Sequence, residues 1–405
     1  MMNVNLHIQH LNKLVLILIL TFMPINLLSV TDLANDIQKI GETTTDLTFY
    51  LSVIFLVTFF FLQKQSIKSI TQKYGFLYAV IGSLIVLYTI SYLNHQDQTQ
   101  FSTLLTFILT LTTLLTFAKV RWNPKMITFI GYGASMIIMV LVIHWQILDQ
   151  PTNRFQSVFW NPNGLGIITF CLLYFQIIAL KYVDLIYKLL LGLTIILNII
   201  MLYATTSRAV WLSLFIVMIT WVCIKTFPKH IKYIFPIALG LIFVSVFLYT
   251  QLYNTTLGNW LNSLSHSLFS KNFFSGRSEL WSELWGAIQT SLIWGHGIGT
   301  SASEVTPFSL PAHNQYLQFM LETGLIGLVL LCALLYTLWK LLISNANNYV
   351  TKWSMSFFIG ILIYQSLEHS LFINNPWYSI IQWLIICIGI TFTESDKRTN
   401  HKELN

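Results

Sequence analysis

Two arginines and one histidine stand at three places where a hydrophobic helix is about to begin. Arg208 closes Thr205-Thr206-Ser207-Arg208, Arg277 sits in Ser275-Gly276-Arg277-Ser278-Glu279, and His313 opens His313-Asn314-Gln315-Tyr316-Leu317. A guanidinium fork holds phosphate or carboxylate oxygens in pairs, which a lysine point charge does less well. Histidine changes charge near neutral pH and can take a proton from a hydroxyl. A cation in the first turn of a helix opposes the positive end of its dipole, so Arg208 is unfavourably placed unless an anion binds nearby. The alternative is an arginine that reaches lipid headgroups or an outer acid.

After Arg277 the unit Glu-Leu-Trp repeats at a spacing of four, giving Glu279/Glu283, Leu280/Leu284 and Trp281/Trp285. Each pair shares one helix face. The pattern predicts an amphipathic helix lying at a membrane interface. Here the competing reading is a structural lid whose Arg277 pairs with Glu279 or Glu283.

Pro311 precedes the His313 word, as expected where a helix starts just after. Asn314 is a supporting candidate, and Glu322, nine residues on, lies about 13 Å deeper along a helix as a buried partner or a structural acid. Gly324 and Gly327 read as small residues for close helix packing. Gly295-His296-Gly297-Ile298-Gly299-Thr300 has no strand before it, so it is read as a tight turn that brings backbone close to a ligand or another helix. Asn161-Pro162-Asn163-Gly164 and Asn374-Asn375-Pro376-Trp377 read as helix caps. Glu368-His369 reads as the end of a span, with a structural role preferred. No H-E-x-x-H, Asp-Asp pair or G-x-S-x-G occurs, which leaves metalloprotease and serine-hydrolase readings without support.

The elements that must carry these groups are membrane helices. The 405-residue chain is 55% hydrophobic and only 9% charged, against about 25% charged in soluble domains. Apolar runs of roughly 20 residues recur, the length that crosses a bilayer. Twelve spans are expected at 14–30, 47–62, 74–92, 101–117, 127–146, 163–180, 187–203, 208–224, 233–250, 314–339, 353–370 and 378–393. The first lacks an A-x-A-like cleavage site and is read as an uncleaved helix. All four cysteines fall in apolar runs, with no C-x-x-C pair.

With the N-terminus inside, only Lys39, Arg154, Arg208, Lys271 and Arg277 of the 22 Lys+Arg lie outside. That is a strong positive-inside bias, which puts both termini in the cytoplasm. It also accounts for the net charge of +7 without nucleic acid. Three of the five arginines are among the outer cations, which makes Arg154 a supporting candidate beside Arg208 and Arg277 without assigning it to the anion. The one long outer loop, 251–311, spans 61 residues. Loops beyond about 12–15 residues are usually functional or disordered, and this one carries helix signals.

The set TSR at 206–208, SGR followed by Trp281, the G-x-G-x-G turn at 295–299, and HNxxL followed by Glu322 and Gly324 resembles the O-antigen ligase and polysaccharide polymerase superfamily of bacterial inner-membrane glycosyltransferases. The motifs cover 205–327, and the topology extends the resemblance over a single membrane domain of 1–405. The resemblance implies an all-α, GT-C-like fold acting on undecaprenyl-diphosphate-linked glycans without metal or other cofactor. It implies that Arg208 and Arg277 grip the donor diphosphate; Glu279, Asn314, Glu322 and Arg154 are supporting candidates. His313 would deprotonate the acceptor hydroxyl for inverting attack. Partners would be the lipid-linked donor, a glycan acceptor and membrane lipids, with a flippase and a chain-length regulator beside them. The expected enzyme is a polysaccharide polymerase of the cytoplasmic membrane. The alternatives are an O-antigen ligase and, from another class, a lipid-linked sugar transporter or flippase; a noncatalytic scaffold is a third.

Overall fold

The computed structural model describes residues 2–62, 67–95, 98–147, 155–253, 255–269, 272–274, 276–372 and 376–394. Arg154, Lys271, Ser275, Asn374 and Asn375 lie outside the described residues. The described chain is helical, with one isolated β-bridge between Thr31 and Phe159. Its helices are α1 (Met2–Asn26), α2 (Asn35–Leu62), α3 (Ile67–His95), α4 (Gln98–Phe117), α5 (Pro124–Ile147), α6 (Pro162–Ala179), α7 (Leu185–Thr205) and α8 (Arg208–Thr226). They continue with α9 (Ile231–Leu252), α10 (Thr256–Phe269), α11 (Arg277–Thr290), α12 (Ala302–Val305), α13 (Gln315–Ile343), α14 (Tyr349–Gln365) and α15 (Pro376–Thr391).

Ten of the twelve expected spans are helices long and apolar enough to cross a membrane. The other two fall short. The eleventh is α14, 17 residues ending at Gln365 rather than 370, and the twelfth is α15, 16 residues. Both are buried along nearly their whole length, with α6. A helix that is apolar all round belongs inside a bundle, where it need not match the full lipid thickness. Around this centre α5, α7 and α9 turn large apolar side chains outward, among them Met136, Ile186 and Phe247. These faces suit lipid, and the protein is an integral membrane protein of all-α architecture.

The tenth span is broken. α13 runs 29 residues, but Gly324 within it has φ 63° and ψ −162°, a conformation open essentially to glycine alone. A break in a membrane helix strands backbone groups that must find partners in protein. The G-x-G-x-G turn supplies them: His296 N–H donates to Leu321 O at 2.7 Å and Gly297 N–H to Glu322 O at 3.1 Å, while Leu325 N–H donates to Leu292 O at 2.8 Å. The tight turn expected from its glycines is therefore a plug in a helix break, and Gly324 makes that break rather than serving simple helix packing. His296 braces the turn, its Nε2 lying 2.8 Å from Ala287 O.

The interfacial expectation for α11 is corrected. Leu280, Leu284 and Ile288 are buried, and so is Trp281, whose indole N–H donates to Ala312 O at 2.8 Å. Only Trp285 of the tryptophan pair is exposed. The apolar stripe faces the protein because α11 folds back over α13 and α9, and it pins the segment that leads into His313.

Candidate functional site

Three helix starts converge at one end of the bundle, and each is preceded by left-handed backbone. Thr206 (φ 50°) ends α7 two residues before Arg208, Gly276 (φ 75°) precedes Arg277, and His313 itself has φ 47°. Such geometry is uncommon outside glycine and gathers at functional sites. It turns the chain sharply, so each side chain leaves its helix end at a fixed angle.

The caps differ in kind. Asn314 caps α13 fully: its Oδ1 accepts from Tyr316 N–H at 2.9 Å and Leu317 N–H at 3.0 Å, and its Nδ2 donates to Ser366 O at 2.9 Å. The start of α8 has no such side-chain cap. Ser207 occupies the cap position without a side-chain cap bond, and its buried hydroxyl has no hydrogen-bond partner among the described residues. Asn161 caps α6 as expected, accepting from Gly164 N–H at 2.7 Å with Pro162 at the first helical position.

Arg277 and His313 meet on an acid that the sequence reading placed in a structural role. Glu368 Oε1 accepts from Arg277 Nη2 at 2.8 Å and from Asn163 Nδ2 at 2.8 Å, and Glu368 Oε2 lies 2.9 Å from His313 Nδ1. Arg277 therefore pairs with neither Glu279 nor Glu283 but with a residue 91 positions on. Glu368 lies past the end of α14, not within the eleventh span. In the neutral tautomer whose Nδ1–H donates to the carboxylate, His313 Nε2 would carry the lone pair, which is the form of a general base. Burial alone would raise the Glu368 pKa, but the His313 hydrogen bond and the Arg277 charge outweigh it and hold the carboxyl below its ordinary value. Beside it, burial pushes His369 down to about 4, so this imidazole is neutral. The rings of His313 and His369 stand 6.4 Å apart and nearly perpendicular.

Arg208 points to the other wall. Its Nη1 donates to Ser265 Oγ at 2.8 Å on α10 and to Asn272 O at 2.9 Å. The same short segment leads to Arg277, whose N–H donates to Phe274 O at 2.9 Å, and Tyr249 OH on α9 holds it through Phe273 O at 3.0 Å and Phe274 O at 2.7 Å. Glu279 is exposed and hydrogen-bonds Tyr253. Glu322 sits apart in the helix break, its carboxylate taking Gln318 Nε2 at 2.7 Å and Tyr88 OH at 3.2 Å. The structure thus joins His313 and Arg277 through Glu368, brings Arg208 near, and leaves Glu322 and Glu279 in separate settings.

Glu368 and Asn163 are the members that sequence reasoning missed. A signal for Glu368 existed, since an acid next to a histidine at membrane depth is a functional candidate by default. Asn163 offered none, because Asn-Pro-Asn reads as a cap and Asn161 does serve as one.

Residues 193–332 match the family model described as O-antigen ligase. The matched stretch contains Arg208, Arg277 and His313, and it supports the resemblance to the O-antigen ligase and polymerase superfamily and a ligase- or polymerase-type activity. No curated protein matches the chain.

Proposed function

We propose that the protein transfers undecaprenyl-diphosphate-linked oligosaccharide to a glycan acceptor on the outer face of the cytoplasmic membrane, extending a surface polysaccharide. The observation that supports this most is Glu368 held between Arg277 and His313. One carboxylate orients a proton acceptor and an anion-binding fork at once, so the base and the leaving-group site keep a fixed relation.

In the reaction, His313 Nε2 takes the acceptor hydroxyl proton as that oxygen attacks the anomeric carbon from the face opposite the diphosphate. The bond from the anomeric carbon to the phosphate oxygen breaks, the configuration inverts, and undecaprenyl diphosphate leaves. Arg277 and Arg208 stabilise the charge growing on the leaving group, each well-placed donor contributing roughly 3–4 kcal/mol of barrier. Arg277 uses Nη2 on Glu368 and retains other N–H groups for phosphate. Glu368 stabilises the imidazolium formed at His313. A ligase would use the same groups and differ in acceptor. The description of the matched family favours that second reading. A transporter would instead place its charged groups in a mid-membrane cavity, whereas these stand at helix starts.

Polysaccharide profiling by gel in a deletion strain tests the proposal, with wild type, His313→Ala, Arg208→Ala and Arg277→Ala restored at equal membrane levels. Single-repeat lipid-linked material in the variants means polymerase. Full-length chains left on undecaprenyl diphosphate mean ligase. Normal chains on their normal acceptor in His313→Ala overturn both.

A further inference from the structure

The helix beside Arg208, α10, has three distinct sides. Thr256–Phe269 contains no Asp, Glu, Lys or Arg. Leu257, Trp260 and Leu264 are 52%, 57% and 40% exposed, and at spacings of three and four they form one stripe. About a third of a turn round, Gly258 and Ser265 are buried, and Asn262 Oδ1 accepts from Phe273 N–H at 2.6 Å. The remaining side, with Asn259, Ser263 and His266, is polar and exposed. One side thus faces protein, one is polar and exposed, and one is apolar and exposed.

The level of α10 is set by α9, which has the length and hydropathy to cross a membrane and ends at Leu252. A Cβ added at Gly258 would come within 1.9 Å of Leu252 O, so α10 begins packed against that end of the span, and Ser265 nearly two turns on still reaches Arg208 at the start of α8. An uncharged helix at that height, with a tryptophan in its apolar stripe, has the composition of an interfacial segment. Its protein side holds Ser265, which accepts from Arg208 Nη1 at 2.8 Å.

We infer that α10 lies on phospholipid at the membrane surface beside the site, and that this seating holds Arg208 in position for a diphosphate. The second half rests on the donor reading proposed above. The interfacial role expected of α11 belongs to α10, and lipid contact becomes part of how the anion-binding wall is ordered.

The test uses the full chain in vesicles of phosphatidylethanolamine and phosphatidylglycerol, with a benzophenone amino acid replacing Trp260, Leu264 or Asn259. Phospholipid adducts at 260 and 264 with little at 259 are expected. Equal yields at the three positions, or adducts to a second copy of the chain, overturn the inference. For the Arg208 half, affinity for undecaprenyl diphosphate is read in nanodiscs from its effect on thermal unfolding. The Trp260→Ser/Leu264→Ser double variant should lose about tenfold in affinity through lost preorganisation, while Trp260→Phe keeps it. Unchanged affinity in the double variant overturns that half. Intact affinity in a wild type that transfers no glycan would count against the transferase reading alone.

Discussion

At the scale of single residues, Glu368 carries the most. It is the acceptor shared by Arg277, Asn163 and His313, and its negative charge fixes which imidazole nitrogen bears the proton. Glu368→Gln keeps the size but offers an amide that can donate to Nδ1, which would move the proton of His313 to Nε2 and cancel its use as a base. Transfer rates in proteoliposomes should fall by roughly 10²–10⁴-fold with little change in donor KM; a loss under threefold would remove Glu368 from the mechanism. His369 makes a different claim, on stability. Burial lowers its pKa to about 4 in the folded protein, while an unfolded histidine titrates near 6.5. Between those values the unfolded chain binds the extra proton, so stability rises with pH across that window and is lost on acidification. The shift corresponds to about 3 kcal/mol. Thermal unfolding in detergent should show Tm dropping from pH 7 to 4.5 in wild type and dropping less in His369→Gln; parallel curves would sink the assignment. Both residues were visible in the sequence as an acid and a histidine near a span's end. Their convergence with Arg277 was not legible, because a contact across 91 positions leaves no local pattern.

At the scale of elements, the helix starts were legible and the helix interior was not. Arg208, Arg277 and Gln315 each begin a helix where apolar periodicity resumes after a polar word. Glycine and polar residues at those points gave the signal. The break inside α13 gave none that single-sequence reasoning could separate from packing, since small residues serve both ends. It is decided by tertiary structure, in the turn whose backbone completes the interrupted hydrogen bonds. Gly324→Ala tests this directly. The added Cβ would meet Ile293 O at 2.2 Å and Trp294 N at 2.6 Å, in backbone geometry that alanine does not accept. A loss of about 3 kcal/mol or more is expected, visible as a lower Tm, whereas near-wild-type melting would mean the turn is not seated in the break. The four-residue repeat in α11 does mark a helix face, and that face packs on protein instead of lipid. An apolar stripe states that something covers it and leaves lipid or protein undecided, and Trp281 Nε1 on Ala312 O decides for protein.

For the whole molecule, charge placement makes the last claim. The Arg277–Glu368–His313 cluster and the long loop stand at one end of the bundle. Lys181, paired with Glu394, lies at the opposite end of α6 from Asn163. Lys225, Lys229, Lys232 and Lys340 fall at the ends of α8, α9 and α13 that are remote from their site-proximal ends. The positive-inside rule predicts the lysine-rich end in the cytoplasm and the arginine-bearing site outside, the side on which the proposed reaction would draw its leaving group from a lipid-linked diphosphate. Single cysteines at Ser303 in the long loop and at Lys229 between α8 and α9, both exposed, test this in intact cells with a membrane-impermeant maleimide. Ser303→Cys should label from outside and Lys229→Cys only after the membrane is opened. The reverse pattern would place Arg208, Arg277 and His313 on the cytoplasmic side, where an extracytoplasmic glycan could not reach them, and would remove the proposed reaction whatever the geometry of the cluster.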